Sequence, residues 1–120
     1  MIAPFNFPFA LAGGPLGPAL IAGNTAVVKC SPQTSLSGWL LLECLRDAGL
    51  PPGVINLVTG GDTTGRALAQ HPDVAGITFT GSHAVGMGLL RLSVAGRWPR
   101  PCVAEMGGKN ATIVSRHSDL

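Results

Sequence analysis

Short apolar runs alternate along this chain with longer stretches of helical spacing, and glycine or proline separates most of them. The runs that predict strands cover residues 1–5, 25–29, 54–58, 76–80, 102–106 and 111–114. Runs of this length, rich in β-branched residues, are typical of strands buried on both faces of a sheet. Strands that alternate with helices form βαβ units, so the sequence predicts an α/β fold with a parallel sheet.

The helical pattern fills the gaps between these strands. It covers residues 8–21, 35–48, 63–70 and 84–95. In the second stretch apolar residues recur at three- and four-residue steps, with Ser35 as the predicted N-cap and Gly49 as the stop. Gly23 is expected to end the first helix, because glycine readily adopts the left-handed conformation of a helix terminus.

Composition limits the class of protein. A chain of 120 residues that is 46% hydrophobic with a net charge of +2 is not disordered, and it has room for one domain or a piece of one. Residues 1–28 carry no charge, but four prolines and several glycines interrupt them and no basic segment precedes them. We therefore expect buried core here, with no membrane span and no targeting signal.

Charged and metal-ligating side chains are scattered. The arginines form no basic stripe, so nucleic acid is not an expected partner. The histidines show no paired spacing, and no metal site is expected. Cys30, Cys44 and Cys102 are odd in number and lack a CxxC spacing, which indicates reduced thiols. We expect a cytoplasmic protein, with the mitochondrial matrix as the eukaryotic alternative.

Two predicted strands end in groups that could bind an anion or a sugar. In a doubly wound sheet, ligands bind beyond the carboxyl ends of the strands. Lys29 offers an ammonium there for ribose hydroxyls or a phosphate, although a solvated lysine fits the sequence equally well. Gly81 and Ser82 lead into a helix with Gly86 in its first turn, which favours a pyrophosphate at the helix start. An ordinary turn with an N-cap is the alternative.

Two further polar residues lie among apolar neighbours. Glu105 ends an apolar strand, and in an apolar cleft its carboxylate would become a better general base. Its alternative is a salt bridge with Lys109. Asn6 lies in a loop rich in phenylalanine and proline, where its amide could pin the backbone or donate an N–H to an oxyanion. The residues alone leave both alternatives open.

Five motifs, taken in order, resemble those of the aldehyde dehydrogenase superfamily. They are residues 4–8 (PFNFP), 23–29 (GNTAVVK), 48–56 (AGLPPGVIN), 79–82 (FTGS) and 105–109 (EMGGK). The resemblance spans essentially the whole chain. Residues 3–7 and 105–110 most resemble the branch that oxidises glutamate γ-semialdehyde in proline breakdown.

The resemblance implies a partial doubly wound parallel sheet of Rossmann type. Residues 1–104 would belong to the NAD(P)-binding domain and residues 105–120 would begin the catalytic domain. Six residues would bind the cofactor: Lys29, Gly60, Gly81, Ser82, Val85 and Gly86. The lysine would hold the adenosine ribose, and Gly81 with Ser82 the pyrophosphate. The adenine would lie between helices near Gly60 and Val85, and Gly86 would let its helix pack closely on the sheet.

The resemblance also implies the reaction. A cysteine attacks the aldehyde, a hydride passes to the nicotinamide, and the thioester is hydrolysed to the carboxylate. Asn6 would help form the oxyanion hole, and Glu105 would be the general base for the hydrolysis. In the family the nucleophilic cysteine lies some tens of residues after the EMGGK-type motif, and none of the three cysteines stands there. We therefore expect an inactive fragment, truncated at both ends, of a longer enzyme that assembles as a homo-oligomer.

Pro32 bears on the choice of cofactor. It stands three residues after Lys29, where members that prefer NAD often carry an acid. NAD is the expected cofactor, and NADP stays open because no carboxylate there would repel its 2′-phosphate. Two alternatives to an enzyme fragment are a nucleotide-binding module without catalysis and a truncated product without function.

Overall fold

The computed structural model describes residues 1–119, and helices alternate with strands along them. The elements are α1 (Ala10–Ile21), β1 (Ala26–Lys29), α2 (Ser35–Asp47), β2 (Ile55–Val58), α3 (Asp62–Gln70), β3 (Ile77–Gly81), α4 (His83–Val94) and β4 (Cys102–Met106). A short 3-10 helix, Pro32–Thr34, leads into α2. The alternation predicted from the sequence is confirmed over these elements.

The strands pair in parallel. β1 pairs with β2, with Lys29 opposite Val58, and β3 pairs with β4, with Thr80 opposite Glu105. Parallel pairing through intervening helices directs the carboxyl end of each strand toward the same edge. This arrangement confirms the predicted α/β class.

The first three residues join the two strand pairs. The Ile2 N–H donates to the carbonyl oxygen of Thr78 at 2.9 Å, and the Ala3 N–H donates to that of Lys29 at 3.0 Å. Ile2 forms parallel bridges with Lys29 of β1 and Phe79 of β3. The resulting order is β2, β1, residues 1–3, β3, β4.

The start of α2 differs from the prediction. Ser35 is the first helical residue and not the N-cap, which is Thr34 without a side-chain capping bond. The 3-10 turn that begins at Pro32 runs directly into the helix, so the Ser35 hydroxyl donates back to the carbonyl oxygen of Ser31 at 3.3 Å. A proline at the start of a turn fixes the backbone there, and the helix begins without a serine cap.

Residues 111–114 do not form the predicted strand. The segment has no regular structure, and Ile113 is 95% exposed. A β-branched run becomes a strand only when a neighbouring strand pairs with its backbone groups. Within residues 1–119 no strand pairs with this segment.

Two apolar clusters form the core, one on each strand pair. The first joins α1, β1 and α2 through the buried side chains of Ala12, Leu16, Val28, Cys30 and Leu41. The second joins α3, β3 and α4 through those of Ala69, Ile77, Phe79 and Leu89. No helix within residues 1–119 has both the length and the apolar character of a membrane span.

Gly38 lets α2 pack closely on the first strand pair. A Cβ atom at this position would overlap the Cys30 sulfur and lie 3.2 Å from Cδ1 of Leu57. Both glycine and cysteine are buried, so little space is available for either to move. The first cluster therefore depends on the absence of a side chain at Gly38.

We predict that Gly38→Ala lowers the free energy of unfolding by about 1–3 kcal/mol, because an extra methyl group overpacks this contact. The matched control is Gly14→Ala in α1, where a Cβ would meet nothing within 4 Å. That change should leave stability unchanged or raise it by up to about 1 kcal/mol, because alanine favours the helix. Urea unfolding of both variants measures the difference. Equal stability of the Gly38 variant and the original chain would show that the contact is not tight.

Candidate functional site

A cleft of about 1230 Å³ opens at the carboxyl ends of β1, β3 and β4. This volume exceeds that of an ordinary pocket for a drug-sized ligand. Six of the eight residues singled out from the sequence line the cleft: Asn6, Lys29, Gly81, Ser82, Val85 and Glu105. The other two, Gly60 and Gly86, are not among its lining residues. The shared cleft follows from the parallel order of the strands, and it places an ammonium, a hydroxyl and a carboxylate around one space.

Lys29 is buried, with 6% of its surface exposed. Its stem lies beside Gly65 of α3, where a Cβ atom would be 3.6 Å from the lysine Cδ. The Nζ atom donates to the carbonyl oxygen of Cys30 at 3.2 Å, its single hydrogen bond within the described chain. The alternative of a solvated lysine is therefore wrong. An ammonium has three donors, so two stay available to a ligand in the cleft.

Ser82 is the N-cap of α4, as the ordinary alternative predicted. Its Oγ accepts a hydrogen bond from the Val85 N–H at 3.4 Å. Because the hydroxyl is the acceptor in this bond, its own proton is free to be donated into the cleft. The N–H groups of His83 and Ala84 occupy the first turn of α4, where no intrahelical acceptor exists. The cap and an anion site are thus compatible at this helix start.

Two of the glycines have packing reasons of their own. A Cβ at Gly81 would lie 2.6 Å from Cζ of Phe79, so no side chain fits there. A Cβ at Gly86 would overlap the Met106 sulfur and lie 3.2 Å from Cε1 of Phe79. α4 therefore packs directly on β3 and β4 through Gly86, which faces the sheet and does not line the cleft.

Gly60 belongs to a turn that precedes α3. Its φ of +137° is a conformation that favours glycine, and a Cβ there would overlap Oγ1 of Thr64. The following residue, Gly61, is the one that lines the cleft. The glycine pair marks this turn in the sequence, but the residue that lines the cleft is Gly61 and not the predicted Gly60.

One face of α3, which was not predicted to be part of the site, also lines the cleft. Asp62, Arg66 and Gln70 line the cleft together with Gly65. Residues four apart lie on the same face of a helix, so the spacing of these three polar residues was the available signal. This face of α3 adds the carboxylate of Asp62 and the guanidinium of Arg66 to the side of the cleft near Lys29.

Glu105 has an environment different from the one expected. It lines the cleft, but it is exposed, because it lies on the face of β4 opposite Met106, the residue that packs on Gly86 of α4. Apolar residues such as Ile2 and Phe79 line the same cleft, but they do not bury Glu105 within residues 1–119. The alternative is also wrong, since no ion pair joins Glu105 to Lys109 within that part of the chain.

Asn6 is exposed at the mouth of the cleft, and its side chain forms no hydrogen bond within residues 1–119. The amide therefore does not pin the local backbone. The next residue, Phe7, has a φ of +48°, which is unusual for a bulky side chain. Such a conformation costs about 1–3 kcal/mol and is found mainly where a loop must present a particular group.

None of the three cysteines lines the cleft. Burial raises the pKa of the Cys30 thiol, against the opposing effect of the Lys29 charge. Burial also raises the pKa of the Cys102 thiol, with Arg100 opposing it. A raised pKa reduces the thiolate fraction, and thiolate is the nucleophilic form. Residues 1–119 therefore supply no activated thiol to this site.

The sequence profile described as "Aldehyde dehydrogenase family" matches residues 1–120. The chain belongs to the aldehyde dehydrogenase family. A human relative, 4-trimethylaminobutyraldehyde dehydrogenase, is 44% identical over 119 residues, which is 99% of this chain and 24% of the relative. This aldehyde dehydrogenase chain thus spans about a quarter of the length of that relative.

Solved structures show the same fold as this aldehyde dehydrogenase chain. Proline utilization A (PutA) of Bradyrhizobium japonicum matches with a TM-score of 0.85 and 42% identity, over 89% of this chain and 11% of that one. PnpE in complex with nicotinamide adenine dinucleotide matches with a TM-score of 0.84 and 42% identity, over 92% of this chain and 22% of that one. The Rossmann-like α/β fold predicted from the sequence is confirmed.

Proposed function

We propose that this chain forms the nucleotide-binding side of an NAD(P)-dependent aldehyde dehydrogenase. One observation carries the proposal: the buried Lys29 ammonium and the start of α4 lie on the same cleft. A buried ammonium with spare donors needs oxygen acceptors. A helix start with free N–H groups favours an anion. A nucleotide supplies both, as ribose hydroxyls and a pyrophosphate.

The side chains and backbone groups that line the cleft have the donors that a dinucleotide requires. Lys29 would donate to the adenosine ribose hydroxyls, and Ser82 would donate to the pyrophosphate. Gly81 would let the pyrophosphate approach the backbone. The adenine would lie between α3 and α4, next to Val85 and Leu89, which line the cleft on the α4 side. Gly61 lines the cleft at the start of α3, so Gly61 would lie beside the adenine in place of the predicted Gly60.

NAD is the cofactor that we propose, with NADP as the alternative. The similarity to PnpE, whose structure holds NAD, supports this choice. Pro32 lines the cleft near Lys29, so no carboxylate stands at that position to bind both ribose hydroxyls or to repel a 2′-phosphate. When bound, the nicotinamide would supply the hydride acceptor for aldehyde oxidation.

Two residues of this chain would act on the aldehyde. The Asn6 amide, which is free of other hydrogen bonds in the described chain, would donate an N–H to the aldehyde oxygen as negative charge develops there. The Glu105 carboxylate would take a proton from the water that hydrolyses the thioester. The thiol that forms the thioester would come from outside this chain, because no cysteine of residues 1–119 lines the cleft.

Glutamate γ-semialdehyde is the substrate that we propose. Residues 105–110 resemble the branch that oxidises it, and the similarity to PutA, a protein named for proline utilization, supports the same choice. The human relative is named for a different aldehyde, so overall identity does not determine the substrate. Residues 1–104 would belong to the cofactor domain and 105–120 would begin the catalytic domain, residue 120 lying outside the described part.

We also propose a reducing compartment, such as the cytoplasm. Cys30, Cys44 and Cys102 are all free thiols in the structure. Free cysteines are typical of proteins that work where thiols stay reduced.

A second candidate is a nucleotide-binding module without catalysis. The absence of a thiol from the cleft in residues 1–119 favours it. Both candidates require nucleotide binding at Lys29, and they differ in whether Glu105 takes part in turnover.

Nucleotide binding is tested by replacing Lys29. Lys29→Met keeps the buried stem and removes the ammonium. We expect the dissociation constant for NAD to rise by about tenfold to a hundredfold, which corresponds to the free energy of the hydrogen bonds that a charged group forms. Titration calorimetry on the folded chain measures the change. Lys109→Met is the matched control, because Lys109 does not line the cleft. Equal affinity of the Lys29 variant and the original chain would contradict the proposal.

Catalysis is tested in a chimera in which this chain replaces the matching segment of a full-length relative. We expect Glu105→Gln to slow thioester hydrolysis about a hundredfold or more while the hydride step changes little, because a general base contributes roughly 100- to 10,000-fold. Single-turnover measurements of NADH formation and acyl-enzyme decay separate the two steps. The chain alone is the blank, since it should form no NADH. An unchanged acyl-enzyme lifetime would favour the non-catalytic module.

A further inference from the structure

Residues 95–101 join α4 to β4, and one of them, Arg100, has a guanidinium that contacts backbone carbonyl groups. Its Nη1 donates to the carbonyl oxygens of His71 at 3.3 Å and Val74 at 3.1 Å, and its Nη2 donates to that of Ala69 at 2.9 Å. No carboxylate lies within ion-pair distance of Arg100 in residues 1–119. The charge of this arginine is thus directed at the end of α3 and the loop after it.

The end of α3 needs such a partner. The last carbonyl groups of a helix have no intrahelical donor, and a cation near them is favourable. α3 ends at Gln70, and its C-cap His71 is extended and followed by Pro72, so the chain offers no further helical N–H at this point. The planar guanidinium has donors spread widely enough to contact three carbonyl groups at once. The compact ammonium of a lysine is less suited to three separate acceptors.

The backbone of the same segment is attached to α4 and β3. The Arg100 N–H donates to the carbonyl oxygen of Ser93, near the end of α4, at 2.8 Å. The carbonyl oxygen of Pro101 accepts from the Ile77 N–H, at the start of β3, at 2.9 Å. Arg100 therefore connects α4, through its backbone, to α3, through its side chain.

These two helices form the side of the cleft where the adenine would lie. Ala69 and Gln70 line it from α3, and Val85 and Leu89 line it from α4. Ala69, whose carbonyl accepts from Arg100, is also buried in the second apolar cluster against α4. The connection through Arg100 thus ends at a residue of the cleft wall.

We propose that Arg100 is a positioning residue for the adenine side of the cleft. It holds α3 at a fixed distance from α4, and so sets the width of the space between them. The inference rests on the proposed function, since it assigns the space between α3 and α4 to a nucleotide. Arg100 touches no ligand itself.

The test is adenine-nucleotide affinity in Arg100→Lys, with 5′-AMP as the probe. We expect the dissociation constant to rise about three- to tenfold, in the range seen for residues that act on a site through others. Arg97→Lys is the matched control, because the Arg97 guanidinium lies over the Trp98 ring, 5.5 Å from its centroid, and donates to no backbone carbonyl in the described chain. It should leave the affinity unchanged.

The control for a general loss of stability is Leu45→Ala, which weakens the first apolar cluster, a cluster that includes no residue of α3. If that variant loses as much 5′-AMP affinity as Arg100→Lys at equal loss of stability, the positioning role is wrong. If the original chain binds 5′-AMP and Arg100→Lys binds it equally well, the inference alone fails. If the original chain does not bind 5′-AMP at all, the proposed function fails and the inference with it.

A measurement on the unmodified chain keeps the inference testable even where a variant does not fold. By NMR, the Arg100 guanidinium protons should exchange slowly and rotate slowly, because three carbonyl groups hold them. Rapid rotation and exchange, equal to those of the exposed Arg97, would overturn the proposal.

Discussion

The hydrogen bonds of residues 1–3 are the constraint on which the rest of the structure depends. They join β1 to β3, and without them the two strand pairs would be separate units, each with its own small apolar cluster. Because all pairings are parallel, joining them brings the carboxyl ends of β1, β3 and β4 to one edge. Lys29, Ser82 and Glu105 are distant in sequence, and they line one cleft because all three lie at this edge of the sheet.

The cleft is built as much from missing side chains as from polar ones. Gly86 lets α4 approach β3 and β4, and Gly81 leaves room for the Phe79 ring. The close approach of α4 places the free N–H groups of its start beside the cleft. The stem of Lys29 lies against Gly65 of α3, and its ammonium is buried at the strand end and not solvated. Close backbone packing thus comes first, and the position of each polar group follows from it.

The sequence predicted what depends on local periodicity and missed what depends on distant partners. The alternation of strands and helices was predictable, because β-branched runs and terminal glycines act within a few residues. Residues 111–114 have the composition of a strand but no partner strand within residues 1–119, and Glu105 is exposed on the face of β4 opposite the one that packs on α4. The contacts of Arg100 with carbonyl groups about thirty residues away lie beyond any local pattern.

The central claim is that one nucleotide contacts the β1 end, the start of α4 and the face of α3 together. Chemical-shift mapping of the isotope-labelled chain during an NAD titration tests it most directly. The claim predicts saturable shifts of the Lys29, Gly65, Ser82 and Val85 amides with a common dissociation constant. Shifts confined to α1 and α2, or different constants for Lys29 and Ser82, would contradict it.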